Sequence, residues 1–152
     1  QAMDLLGRKV VRNGGATVYQ FIKNVYNTID NLDLKDISQL SLSTHLRSSL
    51  VALESAVTWM LETFPSQPGQ AAAGATSFLE MMGLISGGWM LARGVIEADR
   101  QLKNNEGDES FLKSKLKTAQ YFAEAHLSRT ASLLHPITGG GDCVMEFEAS
   151  SF

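Results

Sequence analysis

The spacing of apolar residues along the chain predicts four long helices. Between residues 16 and 32, apolar side chains recur every three or four positions, as they do on one face of a helix. They are Val18, Phe21, Ile22, Val25, Ile29 and Leu32. A longer second helix has the same spacing at Leu42, Leu46, Leu50, Leu53, Val57, Met60 and Phe64. Residues 31–43 are interpreted as a connection or a ragged start of this second helix.

Proline, glycine and aspartate mark the limits of the last two helices. Two prolines and a glycine within residues 65–69 end the second helix, and the third is predicted from about Ala71 to Lys103. Gly107 suits the position just after a helix, and Asp108 suits the N-cap of the fourth helix, which runs to Pro136. Its stripe is Leu112, Leu116, Ala119, Ala123, His126, Thr130 and Leu133. Together the four helices predict an all-α fold, an antiparallel up-and-down four-helix bundle.

Short segments flank the predicted bundle. The first, QAMDLLGRKVVR, reads as the interior of a helix without a cap and ends in a turn at Gly14 and Gly15. We therefore expect the chain to be cut from a longer protein. The tail, ITGGGDCVMEFEASSF, is predicted to form a glycine turn and a single helical turn capped by Asp142.

The third helix carries four glycines, Gly83, Gly87, Gly88 and Gly94. Each costs about 1 kcal/mol of stability relative to alanine inside a helix, so close packing has to compensate for this cost. Gly83 and Gly87 lie one turn apart, which predicts that a neighbouring helix approaches this face and that Gly87→Leu destabilises the fold. A membrane span is not expected, because the apolar stretch between Glu80 and Arg93 is shorter than the roughly 20 residues a bilayer requires.

Composition and charge narrow the class of protein. A chain of 152 residues, 44% apolar and 19% charged, is typical of one globular domain. Its net charge of −3 argues against long-range attraction to nucleic acid. The single cysteine, Cys143, excludes a disulfide within the chain and is compatible with a reducing compartment, so we expect a cytoplasmic protein. Cys143 itself is left unassigned.

The histidines and glycines do not form a recognisable active site. A di-iron bundle needs a glutamate three residues before a histidine, and none occurs here. His126 lies on the stripe of the fourth helix and is interpreted as a hydrogen-bonded core or rim residue rather than a catalytic one. His45 and His135 are interpreted as helix-end or solvated residues. The triple glycine at 139–141 is followed by no Lys-Ser/Thr pair and is interpreted as a turn.

Two further groups of residues have a functional and a structural interpretation. Lys113, Lys115 and Lys117 could contact phosphate, but their spacing spreads them around a helix and favours a solvated face. A set of tryptophans and methionines could line a ligand pocket, but such residues more often fill a core: Trp59, Trp89, Met81, Met82 and Met90. We assign no catalytic, cofactor-binding or metal-binding residue.

Particular phrases of the sequence resemble the C-terminal region of long, bacterial-type acyl-CoA dehydrogenases. They are QAMDLLGRKVVRNGG at the start, and GLISGGWMLARG and FLKSKLKTAQYFAEAHLSRTASLLHPITGGGDCVMEF toward the end. The more specific marks are GGW-x-LAR at residues 87–93 and G-x-G-D-x-V-M at residues 139–145. The resemblance is good for residues 1–15 and 78–152. For residues 16–77 only the helical pattern agrees.

The resemblance implies a domain division and a parent enzyme. Residues 1–15 would be the end of the dehydrogenase core's helical domain and a linker, and residues 16–152 a C-terminal helical-bundle domain. The parent would be an FAD enzyme of fatty acid β-oxidation that removes the α-proton of an acyl-CoA and transfers the β-hydride to flavin. The family's catalytic glutamate lies in a Tyr-Glu-Gly-Thr phrase upstream of the position matching Gln1. The resemblance therefore implies a catalytic base and an FAD site upstream, and no catalysis by this chain alone.

Three functional hypotheses follow. The first is an accessory domain with a structural or assembly role, whose partners are the dehydrogenase core of the same chain and, in the parent, acyl-CoA and a second subunit of a homodimer. It predicts an apolar strip of Met3, Leu5 and Leu6 that is exposed in this chain. The alternative is a helical interaction or dimerisation module without dehydrogenase activity. A third, DNA binding as in one relative of the superfamily, is opposed by the acidic charge.

Overall fold

The computed structural model describes residues 1–146, and these residues are all-helical, without a strand. This confirms the predicted fold class. None of the helices in this range is both long and apolar enough to cross a bilayer. In chain order they are α1 (Ala2–Asp4), a π-helix (Leu5–Val10), α2 (Ala16–Ile29), α3 (Ile37–Thr63), α4 (Pro68–Ala73), α5 (Ala75–Lys103), α6 (Glu109–Ala125), a 3₁₀ helix (Leu127–Leu133), α7 (Leu134–Thr138) and α8 (Gly141–Met145).

The two longest helices, α3 and α5, pack against each other, and α2 and α6 each pack against both of them. The apolar stripes predicted for these helices face inward. The largest side chains with almost no exposure include Leu46, Leu50, Leu53 and Met60 of α3 and Phe78, Met81 and Ile85 of α5. The core therefore lies between α3 and α5 and is closed by α2 and α6.

Helix α3 begins at Ile37, earlier than its apolar stripe, because its first turn is capped. The Asp36 carboxylate accepts a hydrogen bond from the Gln39 backbone N–H at 2.9 Å, and the Gln39 side-chain oxygen accepts one from the Asp33 N–H at 2.8 Å. An Asp-x-x-Gln sequence is a signal for such a start. The segment interpreted as a connection or ragged start is thus partly a well-defined helical turn.

The predicted third helix is in fact two helices, α4 and α5, separated at Gly74. The backbone of α7 crosses here: a Cβ at Gly74 would lie 2.5 Å from the Ile137 carbonyl oxygen. The single helix predicted from Ala71 is therefore wrong, because this distant contact breaks it. Pro68 begins α4 rather than only ending the preceding helix, since proline is tolerated in a first turn.

The predicted fourth helix also changes form before Pro136. Helix α6 ends at Ala125, and the chain tightens into the 3₁₀ helix, in which Leu127 and Thr130 are both 1% exposed. With three residues per turn, these two side chains share one face. The prediction of an unbroken helix was wrong, and His126 is only half-buried as a result.

The predicted turn at Gly14 and Gly15 is confirmed, and their φ angles of 57° and 80° favour glycine. Gly107 also has a positive φ of 74°, but its predicted place just after the helix is wrong, because α5 ends at Lys103 and Asn105, with a φ of 56°, follows the C-cap. Asp108 caps α6 as predicted, accepting a hydrogen bond from the Phe111 N–H at 2.9 Å.

The predicted cap of the C-terminal helical turn is wrong. The N-cap of α8 is Gly140, and Asp142 lies inside the first turn, where its carboxylate accepts a hydrogen bond from the Gln70 side chain. The aspartate therefore links α8 to α4 instead of capping its own helix. Residues 147–152 of the predicted tail lie outside the described residues.

The N-terminal segment packs onto the bundle. The π-helix contacts α2 and α5, and its Leu6 and Val10 are 0% and 1% exposed. Met3 is 58% exposed, as the accessory-domain hypothesis predicts, and Leu5 is half-buried. The prediction that Leu6 belongs to an exposed apolar strip was wrong, because the domain itself buries this side chain.

Candidate interaction surface

A surface groove of about 300 Å³ lies between α5 and α6. Eight residues line it, here called the α5–α6 groove: Met90, Leu91, Gly94, Val95, Phe111, Ser114, Lys115 and Thr118. On each helix the lining residues recur after three or four positions, singly or as adjacent pairs, so each set occupies one side of its helix. Met90 and Phe111 are 47% and 59% exposed, which makes the groove an apolar surface in contact with solvent.

Glycines determine how closely the two helices approach. At Gly87, a Cβ would lie 3.1 Å from Cζ of Phe122, so α5 and α6 are close together there. Two turns further along α5, a Cβ at Gly94 would meet no atom within 4 Å. The groove therefore opens where Gly94 leaves space between Met90 and Phe111.

Two cations lie beside this apolar floor. The Lys115 ammonium lies 5.1 Å from the centre of the Phe111 ring. The Arg93 guanidinium lies on the α2 side of α5, 5.7 Å from the Trp89 ring, and reaches the groove where it approaches Met90 Sδ at 4.0 Å. Within residues 1–146 neither forms a salt bridge. Lys113, on the next face of α6, pairs instead with Glu109, and this hydrogen bond lowers the pKa of the Glu109 carboxyl. The groove thus offers positive charge to an incoming anionic group.

The groove does not fit a flavin dinucleotide. Its hydroxyls are used within α6: Ser114 donates to the Ser110 carbonyl and Thr118 to the Ser114 carbonyl, both at 2.9 Å. All lining residues lie inside α5 or α6. The Phe111 N–H, in the first turn of α6, donates to the Asp108 carboxylate, and the others lie deeper in the helices, where backbone N–H groups bond within the helix. A pyrophosphate is usually held by free amides at a helix N-terminus, and the groove has none. We derive no redox step from it.

The four glycines of α5 do not share one packing role. Gly83 is exposed, and a Cβ there would meet no atom within 4 Å, so the predicted close approach at Gly83 is wrong. The tight contacts are at Gly87 and at Gly88, where a Cβ would lie 2.9 Å from Leu127 and 3.0 Å from Leu46. The stripe of buried residues on α5 passes through Gly88, and Gly83 lies on the opposite side of the helix.

The tryptophans and methionines divide between core and surface. Met81 is fully buried, and Trp59, Trp89 and Met82 are partly buried against the core. The Trp89 indole N–H donates to the Thr28 hydroxyl at 2.8 Å, which joins α5 to α2. Met90 is the exception: it was predicted to fill the core and instead lines the α5–α6 groove.

The three histidines lie on different elements, in α3, at the end of α6 and in α7. His126 is half-buried at the end of α6, 5.1 Å from the Phe122 ring, and His135 is exposed. His45 is in the interior of α3 and not near its end, contrary to the prediction. In residues 1–146 no three His, Cys, Asp or Glu side chains are grouped as metal ligands.

The remaining candidates lie on the surface. Lys113, Lys115 and Lys117 are all exposed on α6, as is Cys143 on α8. In the triple glycine, Gly141 is buried against Gln70 and begins α8. The sequence contains one signal for the groove: Phe111, Ser114, Lys115 and Thr118 have helical spacing and lie beside the apolar stripe of α6 rather than on it. The structure places all four on the surface.

Comparison with known sequences identifies the family. The family described as "Acetyl-CoA dehydrogenase C-terminal like" matches residues 18–148. The chain belongs to this family. It is also 32% identical over 145 residues to a 3-methylmercaptopropionyl-CoA dehydrogenase of Ruegeria pomeroyi, an alignment that covers 95% of this chain and 24% of the relative. This acyl-CoA dehydrogenase C-terminal domain thus spans about a quarter of the length of the relative that it matches. The resemblance seen in the sequence is confirmed.

Proposed function

We propose that the chain is the non-catalytic accessory domain of an FAD-dependent acyl-CoA dehydrogenase. In the parent, the longer protein to which such a domain belongs, it packs against the dehydrogenase core and supports the assembly of a homodimer. The observation that carries the proposal is the family match over residues 18–148. Proton abstraction beside a carbonyl needs a placed base, and hydride transfer needs the flavin that accepts it. We assign both the catalytic base and the flavin to the dehydrogenase core.

The experiment is an anaerobic titration of the purified parent with acyl-CoA substrates of increasing chain length. We expect a flavin absorbance spectrum that bleaches with one class of acyl-CoA, because the α,β-dehydrogenation reduces the flavin. Fatty acyl-CoA is the proposed class. A short thioether acyl-CoA belongs in the same series, since the relative in Ruegeria pomeroyi is named a 3-methylmercaptopropionyl-CoA dehydrogenase. A colourless parent, or one that no acyl-CoA bleaches, would overturn the proposal.

We also propose the domain boundary and the helix directions. The boundary lies between residues 1–15 and the bundle that starts at Ala16, with residues 1–15 as a connecting segment that packs on the bundle through Leu6 and Val10. The proposed order is up-and-down along α2, α3, α5 and α6, although α3 and α6, which also pack together, run parallel, because Ser38 contacts Gln120 and Ser41 contacts Glu124. For α2 and α3, the antiparallel direction is supported by pairs of neighbouring side chains. Gly15 at the start of α2 lies next to Leu61 at the end of α3, while Asp30 pairs with Arg47 nearer the other end.

The second candidate function is a helical interaction or dimerisation module without dehydrogenase activity. It is favoured by exposed apolar side chains outside the α5–α6 groove, such as Val51 and Ile37 of α3, which are 58% and 63% exposed. Light scattering of this chain over a range of concentrations tests it. A concentration-dependent dimer supports a dimerisation module, and a monomer at every concentration contradicts it. We propose a cytoplasmic location for either function, which cell fractionation of the parent checks.

A further inference from the structure

One outer surface of the domain combines glycines, which have no side chain, with exposed aromatic residues. On α5 it contains Gly83, Gly87, Met90 and Gly94, and on α6 it contains Phe111, Lys115, Thr118 and Tyr121; we call it the outer α5–α6 face. Each set follows the spacing of one helix face. At Gly83 and Gly94 a Cβ would meet nothing within 4 Å. Aromatic residues of this kind are frequent anchors of protein interfaces.

The shape of this face suits an elongated partner. From Gly83 to Gly94 along α5, and from Phe111 to Tyr121 along α6, each stripe is roughly 15 Å long at 1.5 Å per residue. The two stripes lie side by side, since Gly87 is next to the Phe122 ring. A helix of about three turns matches this length. The absent side chains at Gly83 and Gly94 allow its backbone to approach closely.

The charge of the face specifies the partner further. Lys115 and Arg93 border the apolar floor, and neither pairs with a carboxylate in the described part of the chain. A partner that brings carboxylates beside its apolar residues would complement both cations. A second copy of the same face fits poorly, because a two-fold interface pairs a patch with itself and would gather four cations.

We propose that the outer α5–α6 face binds an amphipathic helix of the dehydrogenase core, whose apolar stripe is flanked by Asp or Glu. The partner helix lays its apolar residues into the α5–α6 groove between Met90 and Phe111, as other amphipathic helices do in grooves. Its carboxylates pair with Lys115 and Arg93. This inference rests on the proposed function, since it names the surface with which the accessory domain contacts the core.

Lysine footprinting of the intact parent tests the proposal. Lys115 and Lys117 are both exposed in this domain and lie on the same helix, but Lys117 is on another face, where its ammonium donates a hydrogen bond to the Gln120 side chain at 3.4 Å. The parent is acetylated with an amine-reactive ester, and each rate is divided by the rate in the urea-unfolded parent. We expect Lys115 to react about tenfold more slowly than Lys117. This factor corresponds to a partner helix that leaves Lys115 accessible to the reagent for about a tenth of the time. Equal normalised rates would overturn the proposal.

A charge reversal separates this contact from other causes of protection. In the parent, Lys115→Glu should place like charges against the partner helix and raise the peroxide oxidation of Met90 several-fold. The matched variant Lys117→Glu should leave Met90 oxidation unchanged. If both variants raise it equally, or neither does, the proposed docking is wrong. Protection of Lys115 that disappears on dilution would instead assign the face to a second copy and also overturn the proposal.

The proposal and the proposed function can fail separately. A parent whose flavin is bleached by acyl-CoA, but in which Lys115 is as reactive as Lys117, is a dehydrogenase whose accessory domain docks through another face. A parent that protects Lys115 but is not bleached keeps the docking surface and loses the dehydrogenase activity.

Discussion

Gly88 and Gly94 lie in the same helix and have opposite surroundings. A Cβ at Gly88 would lie 2.9 Å from Leu127 and 3.0 Å from Leu46, whereas at Gly94 it would meet nothing within 4 Å. We predict that Gly88→Ala destabilises the chain by about 1–3 kcal/mol through overpacking. Gly94→Ala should stabilise it by up to about 1 kcal/mol through helix propensity. Urea unfolding of both variants measures the two changes.

The same pair contains its own control, because both substitutions add one methyl group to α5. If Gly88→Ala and Gly94→Ala stabilise the chain equally, α5 does not contact Leu46 and Leu127 as described.

Gly87→Leu is also predicted to destabilise the fold. A Cβ there would lie 3.1 Å from the Phe122 ring, so the longer side chain has to displace that ring, and an unchanged melting temperature would contradict the packing of α5 on α6.

Glu97 is the residue with the clearest pH dependence. Its hydrogen bonds from Arg100 first, and then from Gln101, lower the pKa of the Glu97 carboxyl from 4.5 to about 2. A carboxyl whose pKa is lower in the folded chain stabilises the fold above its unfolded pKa. This stabilisation is lost as the pH falls from 4.5 toward 2.

We therefore predict that Glu97→Gln lowers the melting temperature slightly at neutral pH and that the difference disappears in acid. The effect is small because the ion pair is exposed. Calorimetry of wild type and variant between pH 7 and pH 2 measures it. Glu62→Gln, an exposed glutamate of α3, is the control. A difference that grows with falling pH would have the wrong sign for this pairing.

At the level of elements, two aspartate caps define the starts of α3 and α6. Asp36 accepts from the Gln39 N–H and Asp108 from the Phe111 N–H, both at 2.9 Å. We predict that Asp36→Ala and Asp108→Ala each cost about 0.5–2 kcal/mol of unfolding free energy. Asp108→Asn should cost much less, because asparagine caps a helix about as well. If alanine and asparagine variants are equally destabilised, charge and not capping is responsible.

The sequence predicted those parts of the elements that depend on neighbouring residues. The stripe of α2, the turn at Gly14 and Gly15 and the cap at Asp108 each depend on residues only a few positions apart, and all three are observed. The break at Gly74 depends on Ile137, and the 3₁₀ helix holds Thr130 in hydrogen-bond contact with Ser49. These contacts join distant parts of the chain, so no local pattern could reveal them.

At the level of the whole molecule, the position of the groove could not be predicted for a related reason. Helix α5 is apolar nearly all round, so its sequence does not distinguish the side that faces the core from the side that faces outward. Met90 was consequently assigned to the core. Which side is buried depends on where α3 and α6 pack, and these helices leave Met90 and Gly94 on the surface of the groove.

The N-terminal segment decides how far this domain extends as a folded unit. Leu6 is 0% exposed and contacts the core cluster, although it lies before the predicted boundary at residue 15. We predict that Leu6→Ala destabilises the chain by about 2–5 kcal/mol, as for other buried leucines. Met3→Ala, at a side chain that is 58% exposed, should change it by less than about 0.5 kcal/mol.

Chemical unfolding of the two variants measures this difference directly. A large loss for Leu6→Ala means that residues 1–10 fold as part of the bundle, so that a cut at residue 15 would remove a piece of its core. In the parent, the segment would then connect the dehydrogenase core to the bundle as a packed element rather than a free linker. Equal, small effects of Leu6→Ala and Met3→Ala would contradict the packing of Leu6 and would place the start of the folded domain after Gly15.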